Sequence, residues 1–157
     1  MPLQPATPAP AVLDELLQKL DLERDDQAVI LNFFRSDCPW CASELPQIAE
    51  VYRRHEKLDF VLAGIAVGSD SDDDATNFAN AKNFDFPALA DSDGSLRAAF
   101  AIERVPAFVV INAQGLVERT YQGVTEQLAG ILEQTVLAVA HGNTPPTYEM
   151  VGNGCAP

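Results

Sequence analysis

The stretch FFRSDCPWCASELPQ, Phe33 to Gln47, carries the reading of this 157-residue chain. Cys38 and Cys41 stand where an apolar run ends and a helical pattern begins. Upstream, AVILNFF (28–34) is a continuous β-favouring run, as expected of a strand covered on both faces. Downstream, Leu45, Ile48, Ala49 and Tyr52 recur on one side, which predicts a helix from Pro39 to about His55. Pro39 takes the first helical position, where its missing N–H costs nothing. Cys38 therefore falls at the helix start, where unpaired N–H groups and the helix dipole favour negative charge. The thiolate is the reactive form of cysteine, so this position supplies an attacking group. Cys41, one turn later, faces the same side and can attack a mixed disulfide to release a partner.

Other uses of the two cysteines fit less well. Zinc wants four ligands, usually as two close pairs. Beyond Cys155 the chain offers only His55 and His141, scattered and unpaired. Haem attachment would need His after the second cysteine, and Ala42 is there. A structural disulfide within one helical turn closes a tiny loop and stabilises little.

Working outward, LDFVLAGIAV (58–67) reads as a second buried strand. SDSDDDATNFANAKNF reads as an acidic turn and a helix, with Ser and Asp as cap candidates. FPALAD gives a short extended segment and GSLRAAFAI a short helix. AFVVINAQGLVERTYQG predicts a hairpin, with strands at 107–111 and 116–121. Leu128, Ile131, Leu132, Val136 and Val139 form the stripe of a last helix, with Thr125 as its cap and Gly142 past its stop. An earlier helix is marked by Val12, Leu13, Leu16, Leu17 and Leu20. Early βαβ units and a late hairpin make this an α/β chain, with a mixed central sheet flanked by helices on both faces.

Residues 1–10 hold four prolines and read as a flexible N-terminal segment. Residues 11–141 form one domain, and 142–157 are a Pro- and Gly-rich tail expected to pack loosely. Three cysteines are too few for a disulfide framework. In the tail, Cys155 could pair between molecules or with a passing thiol; a silent leftover is the favoured expectation. The net charge of −13 argues against nucleic acid and anionic membrane surfaces as partners. No stretch approaches the roughly 18 apolar residues of a membrane span. MPLQPATPAP lacks the basic start and apolar core of a signal peptide. Two acidic runs, DSDDD and DSDG (91–94), invite a calcium reading, but the first has Ala75 and Ala81 where an EF-hand has its Gly and closing Glu. A solvated helix start and a turn are expected instead.

From Val29 to Ala140 the chain resembles thioredoxin-like proteins, and among them the TlpA/ResA type of thiol–disulfide oxidoreductase. ILNFFRSDCPWCASELP, VLAGIAVGSD and NFDFPALADSDGSLRAAFAIERVPAFVVINAQGLV carry the resemblance, with Asn32 where thioredoxin has a buried Asp. The resemblance implies a cis proline at Pro106, lying against the active-site cysteines beside a groove for an extended substrate. It makes Val105, Pro106, Pro39 and Trp40 candidates for contacting that substrate. It also implicates Glu44 in proton handling, since Cys41 must lose a proton before it attacks. Asp37 and Arg35 should pull the Cys38 pKa in opposite directions. The activity implied is dithiol–disulfide exchange with protein substrates through a CPWC disulfide, as a reductant. No cofactor is expected. The expected setting is a monomer served by an upstream redox partner in the periplasm or another extracytoplasmic space, with the cytoplasm as the alternative. Rival activities are a thiol peroxidase, which usually places Thr where Arg35 stands, and a metal-handling or interaction domain of the same fold.

Overall fold

Strand β2 (Ala28–Phe34) is paired on both edges and buried along its whole length, because apolar layers cover both of its faces. β3 (Phe60–Ala66) runs parallel to it from Ala28↔Phe60 to Phe34↔Ala66. β5 (Ala107–Ile111) runs antiparallel, from Val29↔Ile111 to Phe33↔Ala107. β4 (Ala88–Ala90) extends the β3 edge in parallel, and β6 (Leu116–Gln122) extends β5 as the hairpin partner. A short strand β1 (Thr7–Pro8) closes the sheet, giving the order β1-β6-β5-β2-β3-β4. The computed structural model describes residues 7–147 and 153–157.

The period-2 alternation of β2 and β5 sends side chains to two separate apolar layers. On one face Val29, Leu31, Val109 and Ile111 pack with Leu13, Leu16 and Leu17 of α1 (Val12–Lys19). On the other, Ile30, Phe108 and Val110 pack beneath α2 (Pro39–Arg54) and α5 (Leu128–Ala140). α3 (Asp72–Ala81) covers the β3–β4 end, and α4 (Ser95–Ala99) precedes the loop into β5. Both cysteines of α2's first turn belong to the α1-side cluster.

The acidic runs are tied to backbone N–H groups. Ser71 and Asp74 form a reciprocal capping box at the start of α3, and Asp72 accepts a bond from the Ala90 N–H at 2.8 Å. Asp91 is buried and accepts from the N–H groups of Leu96 (3.0 Å) and Arg97 (2.8 Å), opening α4.

Three expectations change. The lead-in expected to be flexible over 1–10 ends in an edge strand, since Thr7 and Pro8 pair with Val117 and Leu116; residues 1–6 lie outside the described residues. The last helix starts at Leu128 rather than Thr125. The Thr125 hydroxyl instead accepts from the Gln127 N–H at 3.3 Å, forming a turn before the helix. The tail does not pack loosely throughout, because Pro145 is buried and the Pro146 carbonyl accepts a 2.5 Å bond from the Tyr121 hydroxyl. Residues 148–152 of that tail lie outside the described residues.

The buried Asp91 carboxylate holds the N–H groups of Leu96 and Arg97, so its removal costs both bonds and leaves the buried Leu96 N–H without its partner. Asp91→Ala should lower the unfolding free energy by about 1–3 kcal/mol in urea titration, and no change would show that α4 opens without this cap.

Candidate active site

The β2–α2 junction is shaped by polar side chains. Asp70, after β3, accepts bonds from the Ser36 N–H (2.8 Å) and hydroxyl (2.6 Å), tying the turn to the neighbouring loop. Cys38 is then extended (φ −92°, ψ 116°) and caps α2, with Pro39 at the first helical position. Its carbonyl accepts the first helical bond, from Ala42 at 3.0 Å. Pro39 and Trp40 are exposed beside it, whereas Cys38 and Cys41 are both 1% exposed.

Across from this turn lies the loop into β5. The Phe33↔Ala107 pairing sets Pro106 alongside the end of β2. The Val105–Pro106 peptide is cis, and both residues are buried. The Pro106 carbonyl accepts from the Gly123 N–H at 2.9 Å. Gln122, buried on β6, accepts from the N–H groups of Glu103 (2.7 Å) and Arg104 (3.0 Å), fixing the approach to Val105.

Cys155 occupies the space between these two halves. It is disulfide-bonded to Cys38, with a Cα–Cα distance of 6.1 Å, which corrects the expectation of a silent leftover. Cys41, rather than being paired with Cys38, is a free thiol. Burial pushes the Cys41 thiol up to about 12, only partly offset by the Arg35 backbone N–H and guanidinium. Glu44, one turn on and half-buried, has its carboxyl raised by burial as well. A carboxylate with raised proton affinity on that helix face is a stronger base than an exposed one.

Arg35 and Asp37, expected to pull Cys38 in opposite directions, form a direct ion pair. The guanidinium forks onto Asp37 at 2.9 and 2.8 Å, which lowers the Asp37 pKa and raises that of Arg35. Asn32 is buried beneath α2, where its Oδ1 accepts from the Tyr52 hydroxyl at 3.2 Å. His55 sits at the far end of α2, bonded to Glu133 at 3.0 Å. At 1.5 Å of rise per residue, that is roughly 25 Å along the axis from Cys38.

The sequence reading passed over Gln122, Gly154 and Cys155 as parts of this site. An odd cysteine preceded by glycine was the only local signal of the last two. For Gln122 there was none, because its role depends on which loop β6 lies against.

Residues 9–120 match the AhpC/TSA family. The chain belongs to that family. It is 29% identical over 130 residues to the sporulation thiol-disulfide oxidoreductase A of Bacillus subtilis, covering 80% of this chain and 79% of that protein. It is 27% identical to the thiol-disulfide oxidoreductase ResA of the same organism, over 65% of this chain and 57% of that one. Among solved structures, a secreted Mycobacterium tuberculosis disulfide oxidoreductase described as homologous to E. coli DsbE superposes with a TM-score of 0.58 and 26% identity. That superposition covers 69% of this chain and 81% of the other. The mixed six-stranded sheet with helices on both faces is a thioredoxin-like fold.

The buried Cys41 thiol sets a pH signature. In the Cys38–Cys155-linked protein, iodoacetamide labelling of Cys41 should climb about tenfold per pH unit from 7 to 9, as the thiolate fraction does. Quenched mass spectrometry would read it, and a rate that levels off by pH 8 would contradict the shift.

Proposed function

We propose that this protein is a thiol–disulfide oxidoreductase for protein substrates, working as a reductant. The reading rests above all on the groove beside Pro106. There the Val105 N–H and C=O both bond an extended chain whose cysteine is joined to Cys38. A substrate chain in the same pose meets the same two backbone groups, with its sulfur at Cys38. Relatives named as thiol-disulfide oxidoreductases support the same assignment.

The cycle needs no bound cofactor. The Cys38 thiolate attacks one sulfur of a substrate disulfide, and the other sulfur leaves as a thiol after taking up a proton. Cys41 then gives up its proton and attacks Cys38, releasing the second substrate thiol and leaving a Cys38–Cys41 disulfide. Two electrons have passed to the substrate, and an upstream dithiol restores them. Val105 and Pro106 seat the substrate chain, while Pro39 and exposed Trp40 offer the rim it crosses. Glu44 is the group that takes the Cys41 proton, since burial makes that thiol reluctant to ionise unaided.

The setting we propose is extracytoplasmic. A structural neighbour described as secreted and the Cys38–Cys155 disulfide both support an oxidising compartment. Within the described residues no helix is long and apolar enough to cross a membrane.

Insulin disulfide reduction driven by dithiothreitol tests the activity. The wild-type protein should accelerate it, Cys38→Ser should abolish the acceleration, and a variant with both Cys41→Ser and Cys155→Ser should accumulate a protein–insulin mixed disulfide. Equal activity in Cys38→Ser would assign attack to another residue.

A further inference from the structure

The described tail residues, 153–157, lie against the loop into β5 and the end of β6 through two isolated antiparallel bridges, Val105↔Cys155 and Val124↔Asn153. Val105 and Cys155 exchange two main-chain hydrogen bonds, Val105 N–H to the Cys155 carbonyl at 2.9 Å and Cys155 N–H to the Val105 carbonyl at 2.8 Å. Two residues earlier, the Asn153 carbonyl accepts from the Val124 N–H at 2.8 Å. On the other side of the cysteine, Arg35 uses its remaining nitrogen to hold the Ala156 carbonyl at 2.6 Å. The backbone is thus gripped before, at and after the sulfur that joins Cys38. This is β-augmentation, in which main-chain bonds supply the affinity.

Position 154 shows how close the fit is. A Cβ added at Gly154 would meet the Val105 carbonyl oxygen at 2.8 Å and Arg104 side-chain carbons at 2.5 and 2.7 Å. The arginine stem could move, but the backbone oxygen is fixed by its bond to Cys155. Only glycine lets the chain settle at this depth.

We propose that Cys155 is a third redox-active residue of this site, carried by residues 153–157 as a tethered substrate, and that it exchanges with Cys41 for the bond to Cys38. The inference rests on the oxidoreductase reading of Cys38 and extends it. The exchange balances without an outside reagent. Cys41 loses its proton and its sulfur bonds to Cys38; the Cys38–Cys155 bond breaks, and Cys155 leaves as a thiolate that takes a proton. One disulfide is present before and after. The oxidised protein therefore has two isomers, with the tail bonded in the groove or released from it. A structural staple would need no rival thiol, yet Cys41 lies one helical turn from the bridged sulfur. Anchoring of Pro146 by Tyr121 keeps the end of the chain close to the groove. A short tether raises the local concentration of Cys155 to the order of millimolar, so it outcompetes dilute partners that lack a good fit. Partners that displace it present an extended chain with glycine just before the cysteine.

The test is disulfide mapping of full-length protein equilibrated in about 0.1 mM glutathione redox buffer, acid-quenched and read by peptide mass spectrometry, where a millimolar local concentration makes the tail the stronger competitor. Cys41→Ser should hold Cys38 mainly as the Cys38–Cys155 link. Wild type should contain both this link and Cys38–Cys41. Gly154→Val should cut the Cys38–Cys155 fraction about tenfold or more through the clash with Val105, while the thermal unfolding of the reduced protein stays unchanged. Cys155→Ser should reduce micromolar insulin several-fold faster than wild type, having lost a competitor at millimolar local concentration. Cys38 found on glutathione with Cys155 free in Cys41→Ser would overturn the proposal. So would a link that Gly154→Val leaves untouched. Failure of the oxidoreductase reading looks different, because wild type would then form no Cys38–Cys41 disulfide and leave insulin intact.

Discussion

The antiparallel pairing of Phe33 with Ala107 is the contact on which the site depends. One strand end leads through Arg35 and Asp37 to Cys38; the other begins immediately after Pro106. These segments lie about seventy positions apart in sequence, and no local preference brings them together. Burial of β2 between β3 and β5 does, because a one-residue slip would send Leu31 and Phe33 to the opposite layer. Register and active-site geometry are therefore one constraint.

That constraint leaves the N–H and C=O of Val105 on the open side of the loop, where an incoming chain can take them. Each main-chain bond contributes only about 1 kcal/mol net, so three of them and an arginine contact make a seat that is specific in pose yet reversible. Reversibility suits an exchange site, where a tightly held product would stop the cycle. The same logic explains the charge arrangement. Arg35 is neutralised by Asp37 on one side while its free nitrogen reads the carbonyl after the cysteine. Docking and thiolate stabilisation at Cys41 thus draw on one guanidinium.

Much of this was legible in the sequence. The apolar run Ala28–Phe34 and the Pro39 helix start coincide with the observed strand and helix, because both signals are local: continuous burial for the strand, a missing N–H for the cap. The hairpin and Gly142 at the end of α5 were readable for the same reason. What escaped depends on partners distant in sequence. Thr7 and Pro8 become a strand only because β6 offers an edge. Thr125 reads as a cap, but the turn it starts delays the helix to Leu128. Gly154 and Cys155 look like the end of a loose tail until the shape of the Val105 loop is known.

The most direct test of the account is a redox titration of the Cys155→Ser protein, which leaves Cys38 and Cys41 as the only exchanging cysteines. Trp40 is the sole tryptophan and lies between them in the chain, so its fluorescence is the natural readout. The account predicts a single reversible two-electron transition, falling between about −270 mV, as in thioredoxin, and about −120 mV, as in DsbA. A value near the lower end would fit a reductant. Absence of any reversible transition would contradict the assignment of this pair as the seat of the chemistry.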